Sequence, residues 1–151
     1  MKPLIVLLSV FLIAVLATRL IDGDIKYGLS GRIAMSAMLA FTAIGHFKFP
    51  EGMSMMIPSP IPYKKQLVFL TGLFEIAAAI ALMIPSLHII SSWSLIIFFL
   101  LVVPANINAS MKRVHYEKGN YEGPGSSYLW FRVPLQMLFI AWVFFFGVIA
   151  V

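Results

Sequence analysis

Apolar residues run along this chain in five long blocks, and the charged residues are confined almost wholly to the stretches between them. No charge separates Arg132 from Val151, and none lies between Glu75 and Lys112. An α-helix needs about 20 mostly apolar residues to cross roughly 30 Å of hydrocarbon, and the blocks have that length. They predict transmembrane helices over residues 3–20, 31–47, 66–84, 87–111 and 128–150. The second block is rich in small residues (Ala34, Ser36, Ala37, Ala40, Ala43, Gly45), which let helix backbones approach closely in lipid. That places it inside the bundle.

The connections carry turn chemistry. A polar turn runs from Asp22 to Gly28, and Pro85-Ser86 marks a tight hairpin. The 48–65 connection holds Pro50, Pro58, Pro60 and Pro62, which predict extended or turned backbone and no regular helix. Residues 112–127, with Gly119, Gly123, Pro124 and Gly125, form the most polar segment and the one expected to move most. Pro104 predicts a kink within the fourth helix.

Composition narrows the class. With 61% hydrophobic and 11% charged residues, a soluble globule of 151 residues has too little interior to hide the chain. The reading is an all-α integral membrane bundle forming a single domain over 1–151. The first block resembles a signal peptide, but it closes on Arg19, whose long side chain can snorkel to an interface, so it reads as a retained helix. The net charge of +5 sits at helix ends and forms no run, which points to anionic membrane lipids and argues against nucleic acid. Five crossings put Lys2, Lys48, Lys64, Lys65, Lys112, Arg113, Lys118 and Arg132 on one side, against Arg19, Lys26 and Arg32 on the other. That asymmetry predicts a cytoplasmic N-terminus and an external C-terminus. The chain has no cysteine, so disulfides, thiolate metal sites, Fe–S clusters and thiol relays are excluded.

Candidate chemistry centres on Glu75, about 9 residues into the third helix and so roughly 14 Å deep at 1.5 Å per residue. A carboxylate at that depth costs about 2.5–3.5 kcal/mol on insertion scales and needs a partner, a proton or water. Arg132, opening the fifth helix with Gln136 one turn on, is the expected partner. His46 and Thr42 lie near the end of the second helix, and Asn106 and Asn108 near the end of the fourth, all toward the same leaflet. Together they predict a polar pocket with apolar and aromatic walls. The dull accounts are a structural glutamate staple, an interfacial arginine anchor and a capping histidine. Haem is disfavoured because His46, His88 and His115 fall at unmatched depths. Met53, Met55 and Met56 have no cysteine or histidine close by in sequence to complete a copper site. No phosphate loop or nucleophile triad appears, so no cofactor is expected on this chain.

Four short motifs in order resemble the DoxX-like family: Gly45-His46-Phe47 with Pro50, Thr71-Gly72-Leu73-Phe74-Glu75-Ile76, Val103-Pro104-Ala105-Asn106-Ile107, and Arg132-Val133-Pro134-Leu135-Gln136. The resemblance spans residues from about 31 to 145. It implies a four-helix DoxX-like core, with the first helix an addition. It also implies a small accessory or chaperone-like membrane subunit, some relatives being tied to quinone-coupled thiosulfate oxidation and others to receptor assembly or cargo transport. The recurring positions of that family fall on Gly45, His46, Glu75, Pro104, Asn106, Arg132 and Gln136. Relatives that handle thiols use cysteines, which this chain lacks. The function expected is binding of a lipophilic ligand or a partner transmembrane segment at His46, Glu75, Asn106, Arg132 and Gln136. The alternative is a membrane subunit of a quinone-linked oxidoreductase.

Overall fold

A computed structural model describes residues 2–150, which fold into helices α1 (Lys2–Asp22), α2 (Tyr27–Lys48), α3 (Pro50–Met56), α4 (Lys64–Met83), α5 (His88–Met111) and α6 (Leu129–Phe144). A π-helical turn, Phe145–Ile149, continues α6. Among the described residues there is no β-strand, only an isolated bridge between His115 and Asn120. Among the described residues, five helical stretches are long and apolar enough to cross a membrane: Lys2–Ile21, Tyr27–Lys48, Lys64–Met83, His88–Met111 and Ser126–Ile149.

The outer faces carry the apolar side chains that a soluble protein would hide. Leu20, Leu101 and Trp130 are 84%, 72% and 86% exposed. Apolar exposure this extensive marks a surface that meets lipid or partner protein. Inside, Met35, Met38 and Leu39 of α2 pack with Leu82, Leu95, Phe99 and Phe139.

Small residues set the spacing between α2 and α4. Ser36 donates to the carbonyl of Ala79 at 2.8 Å, and a Cβ on Gly72 would sit 2.7 Å from that of His46. Helix α1 packs on α2 and α6 through Leu7 and a cluster of Phe11, Trp142 and Phe146, with Trp142 donating to the carbonyl of Gly31.

The 48–65 connection departs from expectation, because it contains α3. Pro50 opens that helix, where its missing N–H would have had no helical partner and its fixed φ suits the first turn. The remaining prolines, 58, 60 and 62, follow α3 and keep the chain irregular up to Tyr63. The 112–127 segment is tied down by several bonds. Arg113 accepts from the Gly123 N–H at 2.6 Å, Lys112 reaches Ser59, and Lys2 pairs with Glu117 at 2.8 Å. These contacts gather the start of α1, the α3 connection and the α5–α6 connection at one end of the bundle.

Candidate functional site

Two polar networks form on neighbouring helix pairs. The first joins α2 to α4. His46 and Thr42 stand one turn apart on α2, as Glu75 and Thr71 do on α4, so each pair shares a face. Thr42 Oγ1 donates to Glu75 Oε2 at 2.9 Å, and His46 Nε2 lies 3.5 Å from Glu75 Oε1. On the other edge of its ring, His46 Nδ1 lies 2.9 Å from the carbonyl of Val68 and 3.1 Å from Thr71 Oγ1. Glu75 is only 6% exposed, yet both of its oxygens face a polar group. That arrangement relieves the desolvation a lone buried carboxylate would suffer.

The second network joins α5 to α6. Arg132 Nη1 donates to Asn106 Oδ1 at 3.0 Å, Asn106 Nδ2 donates to Gln136 Oε1 at 3.3 Å, and Gln136 Nε2 donates to the carbonyl of Phe99 at 2.8 Å. The Arg132 guanidinium also lies over the Tyr128 ring, 5.0 Å from its centroid. Asn106 is therefore oriented by its neighbours, with its oxygen toward the arginine and its nitrogen toward the glutamine.

Both networks line one cavity of about 520 Å³, and His46, Glu75, Asn106, Arg132 and Gln136 all reach its wall. Its apolar lining comes from Met38, Phe41, Met53, Phe98, Phe99 and Phe139 among others. This volume falls within the roughly 300–1,000 Å³ of small-molecule sites, which are likewise mostly apolar with a few placed polar groups.

The favoured pairing of Glu75 with Arg132 does not form. Each takes another of the polar residues expected around it, Glu75 facing His46 and Thr42 of α2 and Arg132 donating to Asn106. The cause is packing: Gly72 lets α2 press against α4 beside the carboxylate, while α6 lies along α5. Asn108, grouped with Asn106 in the sequence reading, donates to the carbonyl of Met56 at 2.7 Å and ties α5 to the end of α3. It is absent from the cavity wall.

Thr71, Tyr128, Lys2 and Glu117 also line the cavity and were not singled out from sequence. The i, i+4 spacing of Thr71 and Glu75 was an available signal. Nothing local could have paired Lys2 with Glu117, 115 residues apart. Hydrogen bonds from Lys2 and then Tyr116 hold the Glu117 carboxyl below its usual range. Burial, aided by the charge of Glu117, pushes the Tyr116 hydroxyl up to about 12. Tyr116 therefore stays protonated and donates to Glu117 at neutral pH.

Residues 35–147 match a family described as a domain of unknown function, DUF8561, and the chain belongs to that family. No curated protein and no solved structure matches the chain. The matched region takes in both networks and leaves out α1.

Proposed function

We propose that this is a multi-pass integral membrane protein with a DoxX-like four-helix core, an added first helix and a cytoplasmic N-terminus, whose cavity binds a lipophilic small molecule. Its role is that of an accessory or chaperone-like subunit. One observation carries the reading: five polar residues from four helices converge on a single cavity with aromatic and methionine walls. A cavity between helices suits a small molecule better than a partner's transmembrane helix, which needs an open groove along the bundle.

A second reading, a membrane subunit of a quinone-linked oxidoreductase, draws on the His46–Glu75 pair. A carboxyl and an imidazole within 3.5 Å can pass one proton between them, and both border the cavity. Electrons and any redox cofactor would come from another chain.

The test is purification in mild detergent followed by mass spectrometry of what denaturation releases. A lipophilic molecule should leave the wild-type protein and be missing from Val102→Phe, which adds bulk at the cavity wall. A redox-active subunit that co-purifies with a quinone favours the second reading. If wild type and Val102→Phe release the same molecules in the same amounts, neither reading stands.

A further inference from the structure

Two carboxylates line the cavity and both are in ion pairs, Glu75 with His46 and Glu117 with Lys2, while Glu51 pairs with Lys65 away from it. Arg132 lines the same cavity and has no carboxylate partner among the described residues. Its bonds are to neutral groups, one nitrogen to the amide oxygen of Asn106 and its face to the Tyr128 ring. Guanidinium carries five donors in a rigid fork, and among the described residues one is engaged, by Asn106.

Neutral partners on one nitrogen and one face hold the fork in place without cancelling its charge. The Asn106–Gln136–Phe99 carbonyl chain fixes that orientation from behind. Immediately inward, the wall turns apolar with Phe98, Phe99, Leu135 and Phe139. A cation that is oriented, uncompensated and placed at the polar rim of an apolar chamber matches an oxyanion joined to an apolar chain. Glu75 lines the same cavity, but its two oxygens already face Thr42 and His46 of α2 and neither is bonded to the guanidinium.

We infer that the cavity takes an anionic amphiphile, its carboxylate- or phosphate-type head held by the Arg132 guanidinium and its apolar tail lying among the phenylalanines of α5 and α6. The inference rests on the reading of the cavity as a lipophilic site and gives the chemical class of what fills it. The anion can come from a free single-chain amphiphile or from the head of a bilayer lipid.

The experiment uses the full chain in phosphatidylcholine nanodiscs with radiolabelled dodecanoate and radiolabelled dodecanol as probes. Dodecanoate should bind saturably and at least ten-fold more tightly than dodecanol. Arg132→Gln should abolish that preference without moving the melting temperature, and Arg132→Lys should keep most of it. Competition by phosphatidylglycerol in the discs supports the inference with the bilayer as source of the anion, and its absence supports it with a free amphiphile as source. Equal binding of dodecanol and dodecanoate, both lost in Val102→Phe, overturns the inference and leaves the lipophilic site standing. Binding of neither probe, or binding indifferent to Val102→Phe, overturns both. The comparison of the two probes on wild-type protein decides the matter even if Arg132→Gln fails to fold.

Discussion

His46 Nε2 and Glu75 Oε1 face each other at 3.5 Å across the α2–α4 interface, while the second oxygen of Glu75 accepts from Thr42. The carboxylate is thus satisfied by a single neighbouring helix. Removing one member of a buried pair is far costlier than neutralising it, because the survivor keeps its desolvation penalty. His46→Ala should therefore lower unfolding stability by about 3–5 kcal/mol. Glu75→Gln, which can still accept from Thr42, should lose only about 1 kcal/mol. Thermal unfolding of the two variants beside wild type in one detergent checks the order. A milder His46→Ala would mean that water replaces the ring.

The approach of α2 to α4 depends on Gly72. A Cβ there would lie 2.7 Å from the Cβ of His46, and neither atom can swing aside because both are fixed to backbone. Gly72→Ala should separate the helices and cost about 1–3 kcal/mol, the usual range for overpacking. Gly45→Ala makes a sharp contrast. Its nearest neighbour is the Met53 methyl at 3.1 Å, the end of a flexible chain, so its loss should be under about 1 kcal/mol. Equal melting of the two variants would remove Gly72 as the spacer.

How much of this could be read from sequence differs by residue. The five apolar blocks were plain because hydropathy is a one-dimensional signal, and the helices differ from the predicted ends by a few residues, as at Tyr27 where α2 begins. Glu75 stood out because a carboxylate in an apolar block demands a partner. His46 stood among its candidate partners beside Arg132, but the choice between them was hidden, since it follows from the Gly72 contact, a relation between helices that no local pattern encodes. α3 was masked by a proline count that ignored position: Pro50 starts a helix, while Pro58 ends the possibility of another. The role of Lys2 at the cavity was invisible for a different reason, its partner Glu117 being 115 residues away.

Orientation in the membrane is a proposal with a direct test. The start of α1 and the α3 and α5–α6 connections share one end, and that end holds most of the lysines and arginines. By the positive-inside rule it faces the cytoplasm. An alkaline phosphatase fused after Val151 should be active, and one fused after Lys118 should be silent. The reverse pattern would invert the bundle.

The Lys2–Glu117 pair latches α1 to the α5–α6 connection at the wall of the cavity, and the chain's lack of cysteine permits a clean readout of that latch. A single Val102→Cys places a thiol on the cavity wall, where its labelling by a maleimide reports access. Glu117→Gln should speed that labelling at pH 7, by no more than about five-fold, since an exposed pair is worth at most about 1 kcal/mol. The pH dependence has a definite sign. The Glu117 carboxyl titrates below its ordinary value of 4.5, held down first by Lys2 and then by Tyr116. A depressed acid stabilises the closed state fully above its ordinary value and loses that contribution as pH falls through the lowered one. The ratio of labelling rates, Glu117→Gln over the parent Val102→Cys protein at each pH, should therefore stay constant from pH 8 to about 5 and fall toward one only in stronger acid. Taking the ratio at each pH cancels the thiol's own titration. A ratio of one at pH 7, or one that collapses between pH 6 and 8, would show that the pair does not govern entry.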